Sequence, residues 1–120
     1  GTFFANYIFG LNVIEISSNM RSGTNIYISE IFAAIGLLLV ILLSRTDGKN
    51  IVAFNVGIYI TAAIIFTSSA SFANPAVSIA RIFTESFAGI NPSTVIFFIG
   101  SQVIGMFGAY FLYKYLFKTK

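Results

Sequence analysis

An asparagine followed by a proline, Asn74 and Pro75, is the pair of residues whose types and spacing best indicate chemistry in this chain. Asparagine is a good N-cap, and proline suits the first helical position because it has no N–H to leave unpaired there. The pair lies between apolar segments. A helix that begins at membrane depth must be buried in protein or line a water-filled path, since lipid offers its N–H groups no acceptor. The pair therefore predicts a pore or binding site at mid-membrane, with a simple kink as the alternative.

The composition of the 120 residues indicates an integral membrane protein. Hydrophobic residues make up 57% of the chain and charged residues 9%, whereas soluble domains carry roughly 25% charged residues. The sequence has no Cys and no His, which excludes disulfides, a Ser–His triad and histidine-ligated metals. Its four acidic residues are scattered, so we expect no enzyme, no metal site and no cofactor. The net charge of +3, without interleaved aromatic residues, predicts no nucleic-acid partner.

Three apolar segments, residues 26–43, 51–66 and 95–116, are predicted to be the helices that cross the bilayer. A helix needs about 20 residues to cross the bilayer, and each segment is close to that length. Residues 1–11 are also apolar but too few to span, and we interpret them as the end of a preceding helix.

The segment between the second and third spans, residues 67–89, is predicted to re-enter the membrane. Small polar residues open it, and Asn74-Pro75 follows. We predict a loop that dips in, a half-helix from Pro75 to about Glu85, and a turn at residues 88–89.

The distribution of positive charge predicts the topology. The linker after the first span and the C-terminus share one side of the membrane, and the N-terminal stretch and the re-entrant segment share the other. Five basic residues are on the first side and two on the second, so the positive-inside rule predicts a multi-pass protein of the cell membrane with a cytoplasmic C-terminus. The five are Arg45, Lys49, Lys114, Lys118 and Lys120, and the two are Arg21 and Arg81.

A family resemblance is carried by Glu30 near the start of the first span, by Ala73-Asn74-Pro75-Ala76 after the second, and by residues 101–105 in the third. In this order the chain resembles, over residues 1–120, the C-terminal half of the aquaporin and glycerol-facilitator family of major intrinsic proteins. Residues 71–89 are most similar to a prokaryotic subgroup often encoded beside arsenic-resistance genes. The implied fold is all-α, with three transmembrane helices and one re-entrant half-helix, the second repeat of an inverted-repeat fold.

The resemblance implies a passive channel for water and small neutral solutes. Its partners would be the lipid bilayer and the N-terminal half of the same channel, and the complete protein would be a homotetramer without a cofactor. The amide N–H of Asn74 would point into the pore, while Pro75 and Ala76 would shape the half-helix. Two half-helix N-termini that face each other disfavour cations and protons.

Three residues are implied as this half's part of the selectivity filter. Val77 stands where the family normally has an arginine, three residues after Asn74. Ala62 lies twelve residues before Asn74 and Ser71 three before it. Because all three are small or apolar, we expect a wide filter that passes glycerol-sized polyols, and metalloid hydroxides such as arsenous acid, besides water.

Two charged residues are expected to support this site. Glu30 would accept hydrogen bonds from the re-entrant backbone, as in the family; the alternative is a glutamate that stays wet near the interface. Arg81 lies one turn beyond Val77. It would either act at the outer mouth, or extend outward to the interface, or pair with Glu85.

The length of the chain leaves three arrangements open. It is a fragment of a longer protein, it pairs with a separate first half, or it dimerises in inverted orientation, which the charge bias disfavours. A rival function is a non-conducting structural or assembly protein of the membrane.

Overall fold

A computed structural model describes residues 1–46 and 48–117, and all the regular structure in these residues is helical. Two lysines of the topology prediction, Lys118 and Lys120, lie outside the described residues. The helices are α1 (Thr2–Ile8), α2 (Thr24–Ser44), α3 (Lys49–Phe66), α4 (Pro75–Ala80) and α5 (Pro92–Leu116), and a 3-10 turn over Arg81–Phe83 follows α4.

Helices α2, α3 and α5 are long and apolar enough to cross a membrane. The three predicted spans, residues 26–43, 51–66 and 95–116, lie inside them. The prediction of an all-helical, multi-pass membrane protein is confirmed at this level.

Helices α2 and α5 pack closely because small residues meet where they cross. A Cβ on Gly105 would lie 2.6 Å from the Ile31 carbonyl oxygen and 2.8 Å from the Cβ of Ala34. Ala33 and Ala109 are also fully buried. Small residues let two membrane helices approach until their backbones are in contact.

Helix α3 packs on α2 through few polar contacts. The Tyr59 hydroxyl donates to the Ala33 carbonyl at 2.8 Å, and the Asn55 amide donates to the Ser44 hydroxyl at 2.8 Å. Of the α3 residues, all of which the structure describes, Ala63 alone is buried. Most of this helix is therefore free to contact lipid or another protein.

Helix α4 is shorter than the half-helix that we predicted to run from Pro75 to about Glu85. Its α-helical part ends at Ala80, and the chain tightens into the 3-10 turn before it becomes extended at Thr84. Carbonyls of this turn bond to other segments: Ser17 N–H donates to Ile82 O at 2.8 Å, and the Asn6 amide donates to Phe83 O at 2.9 Å. The carbonyls of the turn that follows α4 are therefore bonded outside the helix, and the chain does not continue as an α-helix to Glu85.

Candidate functional site

Helix α4 begins at an asparagine cap, as the Asn-Pro pair predicts. Asn74 has extended backbone, and its Oδ1 accepts from the Ala76 N–H at 2.8 Å. Its carbonyl accepts from the Ser78 hydroxyl at 3.1 Å. The Asn74 side chain is exposed, and its Nδ2 donates to none of the described residues. The cap therefore uses the oxygen of this amide and leaves the nitrogen available at the surface.

The chain that leads into Asn74 is held in an unusual backbone conformation. Ala70, Ser71 and Ala73 have φ values of 60°, 44° and 49°, in the left-handed region that residues with a Cβ seldom adopt. All three are buried, as is Phe72, whose ring lies 5.1 Å from that of Phe98. Backbone in this region persists where the surroundings hold it, and such places cluster at functional sites.

Glu30 holds the same segment from α2. It has no exposed surface. Its Oε1 accepts from the Ala73 N–H, one residue before the cap, and from the Gln102 side chain at 2.8 Å. The carboxylate thus joins α2, α5 and the chain before α4, where each hydrogen bond counts for more because water is excluded.

Gln102 is a site residue for which the sequence analysis proposed no role. The amide nitrogen that donates to Glu30 also donates to the Ser78 hydroxyl at 2.7 Å, and Ser78 donates in turn to the Asn74 carbonyl. The side chains that form this series of hydrogen bonds, Glu30, Gln102 and Ser78, are fully buried. Its position in the sequence could have indicated this role, because an amide side chain in the middle of an apolar span is costly to bury and needs hydrogen-bond partners.

The three predicted filter residues have different surroundings. Ala62 is exposed and opens onto an apolar groove along α3, together with Gly57 and Thr61. Ser71 is buried. Val77 is half-buried and packs against the cluster of apolar residues that contains Phe72. Because α3 packs on α2 and α4 packs on α5, the described contacts do not bring the three side chains together.

Arg81 lies over an aromatic ring and not against an acid. Its guanidinium carbon is 4.2 Å from the centre of the Phe72 ring. Glu85, the pairing partner that the sequence allowed, accepts instead from the Ser18 hydroxyl at 2.7 Å and from the Ser18 N–H. These two hydrogen bonds lower the pKa of the Glu85 carboxyl from its ordinary value, and the bond from the Ser18 hydroxyl has the larger effect.

Arg21 joins the two ends of the segment around α4, a role that its place before the first span did not suggest. Its Nε donates to Gly89 O at 2.8 Å, and its Nη1 to Ser69 O at 3.4 Å. Its Nη2 donates to Phe87 O, and its guanidinium carbon lies 5.0 Å from the Phe72 ring centre. Burial lowers the pKa of Arg21, and the charge of Glu30 opposes that shift.

Within the described residues no group of His, Cys, Asp or Glu side chains is arranged to hold a metal ion.

Comparison with known proteins identifies one relative of this chain. It is 40% identical over 116 residues to aquaglyceroporin AqpS of Rhizobium meliloti (strain 1021). The match covers 97% of this chain and 50% of the relative, so the chain spans about half the length of the curated protein that it matches. No family model matches the chain, and no solved structure matches it.

Proposed function

The chain belongs to the aquaporin and glycerol-facilitator family, and we propose that it forms the C-terminal half of a passive transmembrane channel for water and small neutral solutes. The match favours a channel over an enzyme. Residues 67–89 form the re-entrant part of this half, and α4 is its half-helix. The observation that carries the proposal is the helix start at Asn74, with an amide nitrogen that no described residue binds.

Asn74 acts as a hydrogen-bond donor to the passing solute. Its Oδ1 is fixed by the Ala76 N–H, which sets the orientation of the side chain and directs its Nδ2 away from the helix. A water molecule or a hydroxyl oxygen accepts from this Nδ2. A helix start at membrane depth needs such a water-filled neighbour.

Glu30 and Gln102 position the pore-lining backbone. Their hydrogen bonds hold Ala73 and, through Ser78, the carbonyl of Asn74. The left-handed residues before Asn74 keep their conformation because this network and the buried Phe72 ring hold them.

The filter that this half contributes is wide and uncharged. Ala62, Ser71 and Val77 offer little bulk and no charge, and an apolar Val77 leaves room that a longer, cationic side chain would fill. We propose that glycerol-sized polyols and neutral metalloid hydroxides such as arsenous acid pass with water. Ala62 lies on α3, and in this proposal it lines the passage from that helix when the first half is present.

The first half of the channel is the partner of this chain, and the complete channel is a homotetramer in the cell membrane with the C-terminus of this chain in the cytoplasm. The exposed apolar face of α3 supports a protein partner, since the groove around Gly57 and Thr61 is lined by small and apolar side chains. Small residues permit close helix packing in lipid.

The experiment is stopped-flow light scattering on proteoliposomes that contain the chain, alone and together with a first half from this family. Sucrose gradients measure water efflux and glycerol gradients measure glycerol entry. We expect fast water efflux and glycerol entry where the pore is complete. Rates equal to those of empty liposomes in both preparations would favour the rival, a non-conducting assembly protein.

The substitution Val77→Arg tests the wide filter. We expect glycerol entry to fall by roughly tenfold or more relative to water efflux, because added volume in a filter discriminates by about this factor. Val77→Ile, which keeps an apolar side chain of similar size, is the matched control and should leave the glycerol-to-water ratio near that of the unsubstituted chain. An unchanged ratio in Val77→Arg would contradict the proposed filter.

A further inference from the structure

One face of α5 carries an open apolar groove of about 380 Å³, lined by Val103, Met106, Phe107 and Tyr110. These residues are spaced by three or four along the helix, so they share one face. Phe107 and Tyr110 are more than half exposed, at 61% and 51%. The buried residues of α5 lie on another face, which packs on α2. The groove is therefore a surface for something other than the rest of this chain.

The groove ends, toward the C-terminus of α5, at two groups that bind anions. Tyr110 is its last lining residue, and the Tyr110 hydroxyl is not bonded to any described residue. Lys114 is exposed and follows on the same face, about 6 Å farther along the helix axis. Hydroxyl and ammonium groups both donate hydrogen bonds to phosphate oxygens. An apolar groove thus leads into a pair of donors, one of them charged.

Helices α2 and α5 run in the same direction. The Tyr27 ring lies 5.7 Å from the Phe97 ring near their starts. Farther along both helices, a Cβ on Gly108 would lie 3.5 Å from the Cδ1 of Ile35. The C-terminal ends of the two helices therefore lie at the same end of the bundle.

Basic residues collect at this end of the bundle. Arg45 directly follows α2, Lys49 begins α3, and Lys114 is in the last turn of α5. The acids that the structure describes are all outside these helix ends: Glu15, Glu30 and Glu85. The fourth acid of the sequence, Asp47, lies outside the described residues. An anion that approaches the end of the groove therefore meets a positive potential.

Aromatic side chains mark the same level of α5. Tyr113 and Phe117 have ring centres 5.2 Å apart, and Tyr115 is 73% exposed. Tyrosines are enriched where a membrane helix passes the lipid headgroups. Lys114 therefore lies at headgroup level, and the groove lies beside the acyl chains.

We propose that this groove binds one anionic phospholipid. An acyl chain lies along Val103, Met106 and Phe107, and the headgroup phosphate accepts hydrogen bonds from Tyr110 and Lys114. A zwitterionic lipid has the same acyl chains without the net charge, so the positive end of the bundle selects the anionic lipid. Such a site goes beyond solute passage and does not depend on it.

The test is native mass spectrometry of the chain released from micelles, titrated with dioleoyl phosphatidylglycerol or with dioleoyl phosphatidylcholine. We expect the anionic lipid to bind more tightly than the zwitterionic one. Lys114→Gln should weaken binding of phosphatidylglycerol roughly fivefold, the factor that one basic residue contributes near an anionic headgroup. Lys49→Gln is the matched control, because it removes an equal charge from an exposed position at the same end, and it should keep most of the preference.

Three further variants separate the headgroup contact from the groove. Tyr110→Phe removes only a hydroxyl and should weaken phosphatidylglycerol more than phosphatidylcholine. Val103→Phe fills the groove and should weaken both lipids. Ile104→Phe adds an aromatic ring at the next position, which is exposed and outside the groove, and should weaken neither.

Two outcomes would overturn the site. Equal affinity for the two lipids, or an equal loss in Lys49→Gln and Lys114→Gln, would mean that the basic end attracts lipid without a site in the groove. The titration is repeated on the chain in complex with a first half from this family. Loss of the tightly bound phosphatidylglycerol in that complex would identify the first half, and not a lipid, as the occupant of the groove.

Discussion

The crossing of α2 with α5 and the helix α3 differ sharply in what they bury. Helix α5 has six buried residues, among them the polar Gln102 and Ser101, whereas α3 has one, Ala63. Both helices are apolar enough to span a membrane. The difference shows that apolarity makes a helix compatible with the bilayer, while small residues and buried polar groups decide which helices form an interior together.

The packed region is also where the re-entrant segment is held. Glu30 of α2 and Gln102 of α5 bond to the chain on either side of Asn74, directly and through Ser78. No such network reaches α3, whose polar ties to α2 come from Tyr59 and Asn55. Side chains between α2 and α5 thus hold the segment around Asn74, whereas most of α3 is left exposed to lipid or to another protein.

The largest effect on this comparison is expected from Glu30→Ala. The substitution leaves the Ala73 N–H and one Gln102 N–H without an acceptor in the buried interior. Unpaired buried donors cost about 1–3 kcal/mol each, and more where the lost partner was charged, so we expect the free energy of unfolding to fall by about 3 kcal/mol. Unfolding of the chain in micelles by a denaturing detergent measures it.

Two variants show whether the loss comes from the acceptor. Glu30→Gln keeps a neutral side-chain oxygen at the same position and should lose less stability than Glu30→Ala. Glu15→Ala, outside the packed region, should change the free energy of unfolding by less than about 0.5 kcal/mol. A Glu30→Ala variant as stable as Glu15→Ala would mean that the network does not stabilise this region.

The next effect contrasts three glycines. Gly105→Val places atoms against the Ile31 carbonyl and Ala34, and overpacking of this kind costs about 1–3 kcal/mol. Gly100 on the same helix has nothing within 4 Å of an added Cβ, so Gly100→Val is the matched control for the β-branched side chain. We expect Gly105→Val to unfold at lower detergent concentration than Gly100→Val.

Gly57 on α3 sharpens the comparison, since an added Cβ there also meets nothing within 4 Å. Gly57→Val should leave the stability of this chain close to that of Gly100→Val. It should nevertheless weaken co-purification with a first half if the α3 groove binds that partner. Equal co-purification of the Gly57→Val and Gly100→Val variants would argue that the groove faces lipid.

The fold could be predicted from the sequence wherever one property sufficed. Apolar length predicted the three spans, and the preferences of asparagine and proline predicted the start of α4 at Pro75. The end of α4 could not be predicted, because the turn that follows it is bonded through its carbonyls to Asn6 and Ser17, more than sixty residues earlier.

In the site, too, the residues that could be predicted are those whose role depends on their neighbours in sequence. Asn74 stands out because its neighbours in sequence define it. Arg21 does not, because its three acceptors are distant in sequence and offer only carbonyls, which every residue has. The pairing of Arg81 with Glu85 follows from helical spacing, yet α4 ends before Glu85 and Ser18 takes that carboxylate.

The smallest predicted effect concerns this Glu85 contact, at the solvent-exposed edge of the packed region. Hydrogen bonds from Ser18 lower the pKa of Glu85 in the folded chain, so the contact stabilises the loop at any pH above the carboxyl's ordinary range. As pH falls through the lowered folded pKa, the carboxylate is protonated and that stabilisation is lost. Hydrogen exchange of the Ser18 amide, corrected for its intrinsic rate, should therefore quicken in acid.

Glu85→Gln should remove this acid-dependent step, and Glu15→Gln should retain it. A step that persists in Glu85→Gln would assign the acid sensitivity to another group and make the Ser18 contact incidental to the loop.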